Sequence, residues 1–203
     1  MRYALLLRGI NVGGRNKIVM ADLRQAVADL GYDNVETYIN SGNLFFDSTK
    51  SRGDIVADFQ TFFTERYPFV EQFALLDAQD FQVEIDQLPA WWQEELARKD
   101  VLFFTEGLEK QTMIDYIQSL MLGDEIVFIS AYAIYWGKYS EDSYLQTAYH
   151  KQLAKSPFYK QVTIRNSKTF SAISNYLNTK KNTKTSLICN ALDIFLFAII
   201  GKI

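Results

Sequence analysis

Residues that carry reactive chemistry are scarce in this sequence. It has one cysteine, Cys189, and one histidine, His150. A single cysteine excludes an internal disulfide and any cysteine-cluster metal site. A single histidine excludes the usual multi-histidine zinc arrangements, so neither metal nor cofactor is expected. No apolar run reaches the length of a membrane-spanning helix, and the apolar part of "MRYALLLRGINVGG" is too short for a signal peptide. The expectation is a cytoplasmic globular protein with no membrane attachment. Acidic residues are missing from one stretch: residues 143–192 carry eight Lys or Arg and no acid, whereas 54–115 carry fourteen acids and four bases. That sign reversal can steer an anionic ligand toward the C-terminal part, although the net charge is only −3.

What is present is a core. The chain is 48% apolar and 15% aromatic, far from the disordered regime, and its length fits one large domain or two small ones. The uniformly apolar Tyr3–Leu7 reads as a strand buried on both faces. "MADLRQAVADLG" places Met20, Leu23, Val27 and Leu30 at helical spacing, with Gly31 as its C-cap. "NVETYINSGNLFFDS" reads as two strands around an Asn40–Asn43 turn. "GDIVADFQTFFTERY" follows as a helix with Ile55, Phe59, Phe62 and Phe63 inward, and "EQFALL" as a strand. Residues 77–99 read as a connector whose Trp91-Trp92 pair packs between two halves.

The order then recurs. "VLFFT" is a strand, "EKQTMIDYIQSLM" a helix, and "EIVFISAYAIYWG" two strands around Ser130-Ala131. A helix near Tyr149–Ala154, the strand "QVTIR" and the helix "SKTFSAISNYL" complete the series. Each part reads β-α-β-β-α-β, the pattern of an antiparallel sheet with helices on one face. The fold class is therefore α+β with two ferredoxin-like halves, residues 1–86 and 100–178, a connector over 87–99 and a tail over 179–203. The tail has a polar stretch, Thr179–Ser186, followed by an apolar stretch, Leu187–Ile200, too short to span a membrane.

The glycine-rich loop after the first strand, "RGINVGGRNK", invites a phosphate-binding reading. Gly9 and Gly14 have P-loop spacing, but Arg15 and Asn16 stand where Lys and Ser/Thr are required, and no G-x-G-x-x-G fingerprint is present. What survives is looser. Gly13-Gly14 can expose amides as an anion-binding concavity, with Arg8, Arg15 and Lys17 adding positive charge. The structural alternative is a tight loop in which Asn11 and Asn16 bond to backbone. Catalytic candidates are thin: His150 has no triad partner, Ser41 sits in N-S-G-N and not in a nucleophile elbow, and Cys189 lies in the apolar tail.

"LLRGINVGGRNKIVMADLR", "TYINSGNLFF" and "VTIRNSKTF" together resemble the bacterial family called domain of unknown function 1697, in the family's order and over about residues 1–178. The resemblance implies a two-part α+β fold with ferredoxin-like halves and no settled activity. It also leads one to expect tryptophan at position 167, where this chain has serine. From the residues themselves, the expected function is binding of a small polar or anionic ligand between the halves. The candidate contacts are Arg8, Asn11, Gly13, Gly14, Lys17, Ser41, Asn43, Arg165 and Asn166. The alternatives are a transferase or hydrolase acting on a phosphorylated metabolite, and an RNA-binding or protein-interaction module. The RNA reading would use strand aromatics such as Phe45, Phe103 and Tyr135, but the RNP1 pattern is missing and the pI is near 5.3, so nucleic acid is not the expected partner.

Overall fold

The computed structural model describes residues 1–141 and 144–178. The expectations for the tail, Cys189 included, lie outside the described residues. The first part runs β1 (Arg2–Leu7), α1 (Met20–Asp29), β2 (Asp33–Tyr38), β3 (Asn43–Asp47), α2 (Arg52–Arg66), β4 (Phe73–Asp77) and α3 (Ala78–Asp86). The second runs β5 (Arg98–Phe104), α4 (Lys110–Ser119), β6 (Glu125–Ile129), β7 (Ala133–Lys138), α5 (Ala148–Lys151), β8 (Val162–Asn166) and α6 (Ser167–Asn178). The sheets are β2-β3-β1-β4 and β6-β7-β5-β8, antiparallel at every pairing. Both have the strand order of a ferredoxin-like unit.

Strand parity sorts the core into three layers, because successive strand side chains point to opposite faces. Odd residues of β1 (Tyr3, Leu5, Leu7) pack with Leu23 and Val27 of α1 and Ile55, Phe59 and Phe63 of α2. Even residues of β5 and β7 (Leu102, Ile134, Trp136) pack with Met113 and Ile117 of α4 and Tyr149 of α5. The remaining parities, Ala4, Leu6 and Phe45 from one sheet and Val101, Phe103 and Tyr135 from the other, meet in a central layer with Phe81 of α3 and Phe170, Ile173 and Leu177 of α6. The Trp91-Trp92 pair joins that layer, as its aromatic character suggests.

The helices therefore cover both faces of each sheet, not one. The difference arises at α3 and α6, which follow β4 and β8 and fold back into the space between the sheets. Helix α3 occupies the first part of the 77–99 stretch, where no helix was read, and ends just before residue 87. It starts at a reciprocal cap, with Asp77 accepting from the Gln79 and Asp80 amides and Asp80 accepting from the Asp77 amide. Phe170 of α6 lies 4.9 Å from the Phe81 ring and 5.7 Å from both Trp92 and Tyr135. Each such fully buried ring contributes about 1.5–3 kcal/mol of apolar burial, and here one set of rings serves both halves.

Candidate functional site

The C-terminal end of β1 enters a loop pinned by asparagines. Asn11 and Asn16 both adopt left-handed backbone conformations. The Asn11 side chain donates to the Ile18 and Asn40 carbonyls and accepts from the Ile18 amide, and Asn16 donates to the Gly9 carbonyl. Between them Val12 and Arg15 close a two-residue hairpin whose tip, Gly13-Gly14, has φ of 57° and 77°. Both central residues of such a turn need positive φ, which accounts for the glycine pair. The backbone-bonding role weighed for Asn11 and Asn16 is thus the one they have. Gly13, Gly14, Arg15 and Lys17 are exposed.

Arg8 and Arg165 tie the halves together. Arg165, on β8 and only 5% exposed, donates from Nε to Asn43 Oδ1 and from one terminal nitrogen to Thr163 Oγ1 and the Ile164 carbonyl. The other terminal nitrogen donates to the Leu7 and Gly42 carbonyls at 2.9 and 3.2 Å. All five N–H donors of the guanidinium are therefore met, and three acceptors belong to the opposite half. None of the acceptors is a carboxylate. Burial pushes the Arg165 pKa down to about 10, which still leaves the group cationic at neutral pH. Asn43, fully buried, is held in turn by donating to the Tyr38 carbonyl and Ser41 Oγ. Gly42 must be glycine here: its φ is 81°, and an added Cβ would meet Leu7 Cβ at 2.8 Å.

Arg8 reaches across the same seam. Its Nε donates to the Val162 carbonyl at 3.1 Å and one terminal nitrogen to the Tyr159 carbonyl at 3.1 Å, while the guanidinium lies 5.6 Å from the centre of the Tyr159 ring. Thr163 adds a bond from its hydroxyl to the Leu7 carbonyl. Beside these contacts runs a groove of about 300 Å³, lined by Arg8, Gly9, Ile10, Val12 and Ser41 of the first half and by Tyr159 and Val162–Arg165 of the second. No acidic side chain lines it.

Of the residues singled out in the sequence, Arg8, Ser41, Asn43 and Arg165 come together at this seam. Asn11, Gly13, Gly14 and Lys17 form the adjoining loop without lining the groove. Asn166 turns elsewhere: its Oδ1 accepts from the Thr169 amide and caps α6. Tyr159 and Thr163 were missed: Thr163 lies inside "VTIRN" but was passed over beside Arg165 and Asn166, and Tyr159 lies just before that strand, outside any polar cluster. The strand aromatics named for RNA stacking are mostly in the cores: Phe45, Phe103 and Tyr135 are fully buried, and both faces of both sheets carry helices. No helix among the described residues is long and apolar enough to cross a membrane, and no cluster of potential metal ligands occurs among them.

None of the curated proteins compared matches this chain. Among solved structures, that of the conserved bacterial protein SP0830 from Streptococcus pneumoniae is similar to it, with 54% sequence identity and a TM-score of 0.85, covering 87% of this chain and 98% of that one. A family model described as "Protein of unknown function (DUF1697)" matches residues 1–135. The chain belongs to this family of conserved bacterial proteins of unknown function.

Proposed function

We propose that the protein binds a small anion in the groove between its halves, with Arg8 and Ser41 as direct contacts. The observation that supports this most is an unbalanced charge. Two arginines border the groove, their side chains bond only to neutral acceptors, and no acid lines the cavity. A buried cation without a counter-ion carries a desolvation cost that a bound anion offsets. Arg165 has no donor left to offer and acts through its charge. Arg8 has one terminal nitrogen that makes no hydrogen bond among the described residues, and Ser41 has a hydroxyl that only accepts. Arg15 and Lys17, exposed on the neighbouring hairpin, add long-range attraction that salt screens.

The test is a thermal-shift titration with inorganic phosphate, sulfate and short dicarboxylates, each compared with chloride at equal ionic strength. Phosphate or a dicarboxylate raises the melting temperature of the wild type and of K17E, the latter needing more ligand. The shift disappears in R8Q measured against its own baseline, and S41A weakens it by roughly tenfold in affinity, the loss of one charged hydrogen bond. Equal shifts in wild type and R8Q would remove the groove as the site. Release of phosphate from a phosphorylated metabolite incubated with the wild type but not with R8Q would favour the transferase or hydrolase reading.

A further inference from the structure

The two sheets have four edges, and the chain treats them differently. Strands β4 and β8 lie against each other at the seam just described. Edge strand β2 is blunted. Its register shifts between Asp33 and Glu36, Asn34 adopts a positive φ, and Arg2 donates to the Asn34 carbonyl and pairs with Glu36. A bulge and charges of this kind are the usual protection against edge-to-edge association. The fourth edge, β6, has neither. Its register with β7 is unbroken from Glu125 to Ile129, and it has a strand neighbour on one side only among the described residues. Four uncharged residues in a row, Ile126-Val127-Phe128-Ile129, are each half-buried, and Met121 just before the strand is 87% exposed. The one acid, Glu125, is turned inward, where its carboxylate accepts from the Trp136 indole and the Ala148 and Tyr149 amides.

We propose that β6 is a self-association surface on which a second copy of this chain pairs its own β6, antiparallel about a two-fold axis, joining two four-stranded sheets into one of eight. The register follows from which backbone groups are free. The Ser130 amide bonds the Ala133 carbonyl and the Tyr139 amide bonds the Asp124 carbonyl, so even-numbered residues of β6 face β7. Alternation along an antiparallel strand then leaves Glu125, Val127 and Ile129 with their N–H and C=O groups facing outward. Only pairing of odd residues with odd residues satisfies these groups, and two-fold symmetry centres it on Val127 opposite Val127, with Glu125 opposite Ile129 of the other copy. In this register Ile126 and Phe128 of the two copies become neighbours on one face, and Val127 meets its own copy on the other.

Charge selects a second copy as the occupant. The axis places Asp124 of one copy opposite Ser130 of the other, beside Ala131. There Lys110 holds its ammonium against the Ala131 carbonyl. Symmetry makes two such Asp124–Lys110 approaches, and nothing of like charge stands along the strand itself. Isologous two-fold pairing is also the commonest way for identical chains to associate.

Sedimentation equilibrium of the full-length chain tests the assignment, with V127P, D124K, K110D and the D124K/K110D double variant. The outward N–H of Val127 is not used in the β6–β7 ladder, so V127P removes two intermolecular bonds per dimer and leaves the fold, checked by circular dichroism, in place. The expected result is a wild-type dimer whose dissociation constant rises roughly thirtyfold in V127P. It also rises in each single charge variant and returns toward the wild-type value in the double one. A V127C substitution in a C189S background gives a disulfide-linked dimer on mild oxidation, because Val127 is the one strand residue that meets itself; M121C gives much less. A monomer at every soluble concentration would overturn the proposal. So would a dimer that V127P leaves intact, or one in which M121C cross-links as well as V127C, since each would place any contact elsewhere.

Discussion

Arg165 is an unusual way to use an arginine: a fully hydrogen-bonded cation, buried, with no acid among its acceptors. Its planar fork matches five acceptors spread over β1, the turn before β3, β3 itself and β8, which a lysine cannot do with three donors at one point. Two of the acceptors keep other partners if it is removed: the Leu7 carbonyl retains Thr163, and the Gly42 carbonyl retains the Leu7 amide. Asn43 Oδ1 would be orphaned in the interior. R165M is therefore expected to lose about 2–4 kcal/mol of stability, the combined effect of lost bonds and an unsatisfied buried acceptor. R165K is expected to do no better than R165M, because it keeps a buried charge while giving up at least two of the five bonds. Urea unfolding of the three proteins measures this. A lysine variant close to wild type would mean that charge, and not the fork, holds the seam.

Among the elements, α3 shows most clearly what can and cannot be read from sequence. Helices α1, α2 and α4 follow from apolar residues recurring at the spacing of one buried face, and strands such as β1, β3, β4 and β7 from short apolar runs buried on both faces. Helix α3 breaks that rule. Its buried residues are Phe81 and Glu84, while Val83 is 38% exposed. A buried glutamate in place of an apolar residue hides the stripe. The same limit applied to the seam: Arg8, Asn43 and Arg165 stood out as polar residues at strand ends, but that all the Arg165 donors are used internally depends on two sheets meeting in space. Glu84 is matched by donors from the second half, namely Ser130 Oγ, the Tyr132 amide and the Tyr135 hydroxyl. Burial nevertheless outweighs these bonds and raises its pKa above the ordinary 4.5. The native state then holds this proton more tightly than the unfolded chain. The contribution is fully present below pH 4.5, and it is lost as pH rises from there through the folded-state pKa. Asp100, also raised by burial, adds a slope of the same sign, so the measurement is the difference between wild type and E84Q. E84Q should cost about 1 kcal/mol below pH 4.5, where both side chains are neutral but the amide matches the donors less well. The gap should narrow or reverse toward neutral pH. A gap that stays constant with pH would mean that Glu84 titrates alike in folded and unfolded states.

For the molecule as a whole, the central layer decides whether two repeated patterns behave as two bodies or one. Inner faces of both sheets, α3, α6 and the tryptophan pair share a single apolar cluster. The seam adds Arg8, Thr163 and Arg165, and on another part of the boundary Arg52 of α2 bridges Asp80 and Glu106 at 2.9 and 2.8 Å. Opening the halves would expose Phe45, Leu76, Phe103 and Tyr135, all now buried. At about 1.5–3 kcal/mol for each fully buried apolar side chain, these four alone represent on the order of 10 kcal/mol. That is comparable to the entire stability of an ordinary domain, so neither half should persist once the other unfolds. Hydrogen exchange across a urea series tests the inference by following amides of β1 and β3 separately from those of β5 and β7. The expectation is one transition, in which both groups lose protection at the same denaturant concentration and with the same dependence on it. If the first sheet kept its protection after the second had lost it, the central layer would be an interface between two self-sufficient units, and the energy assigned to its shared rings would be too large.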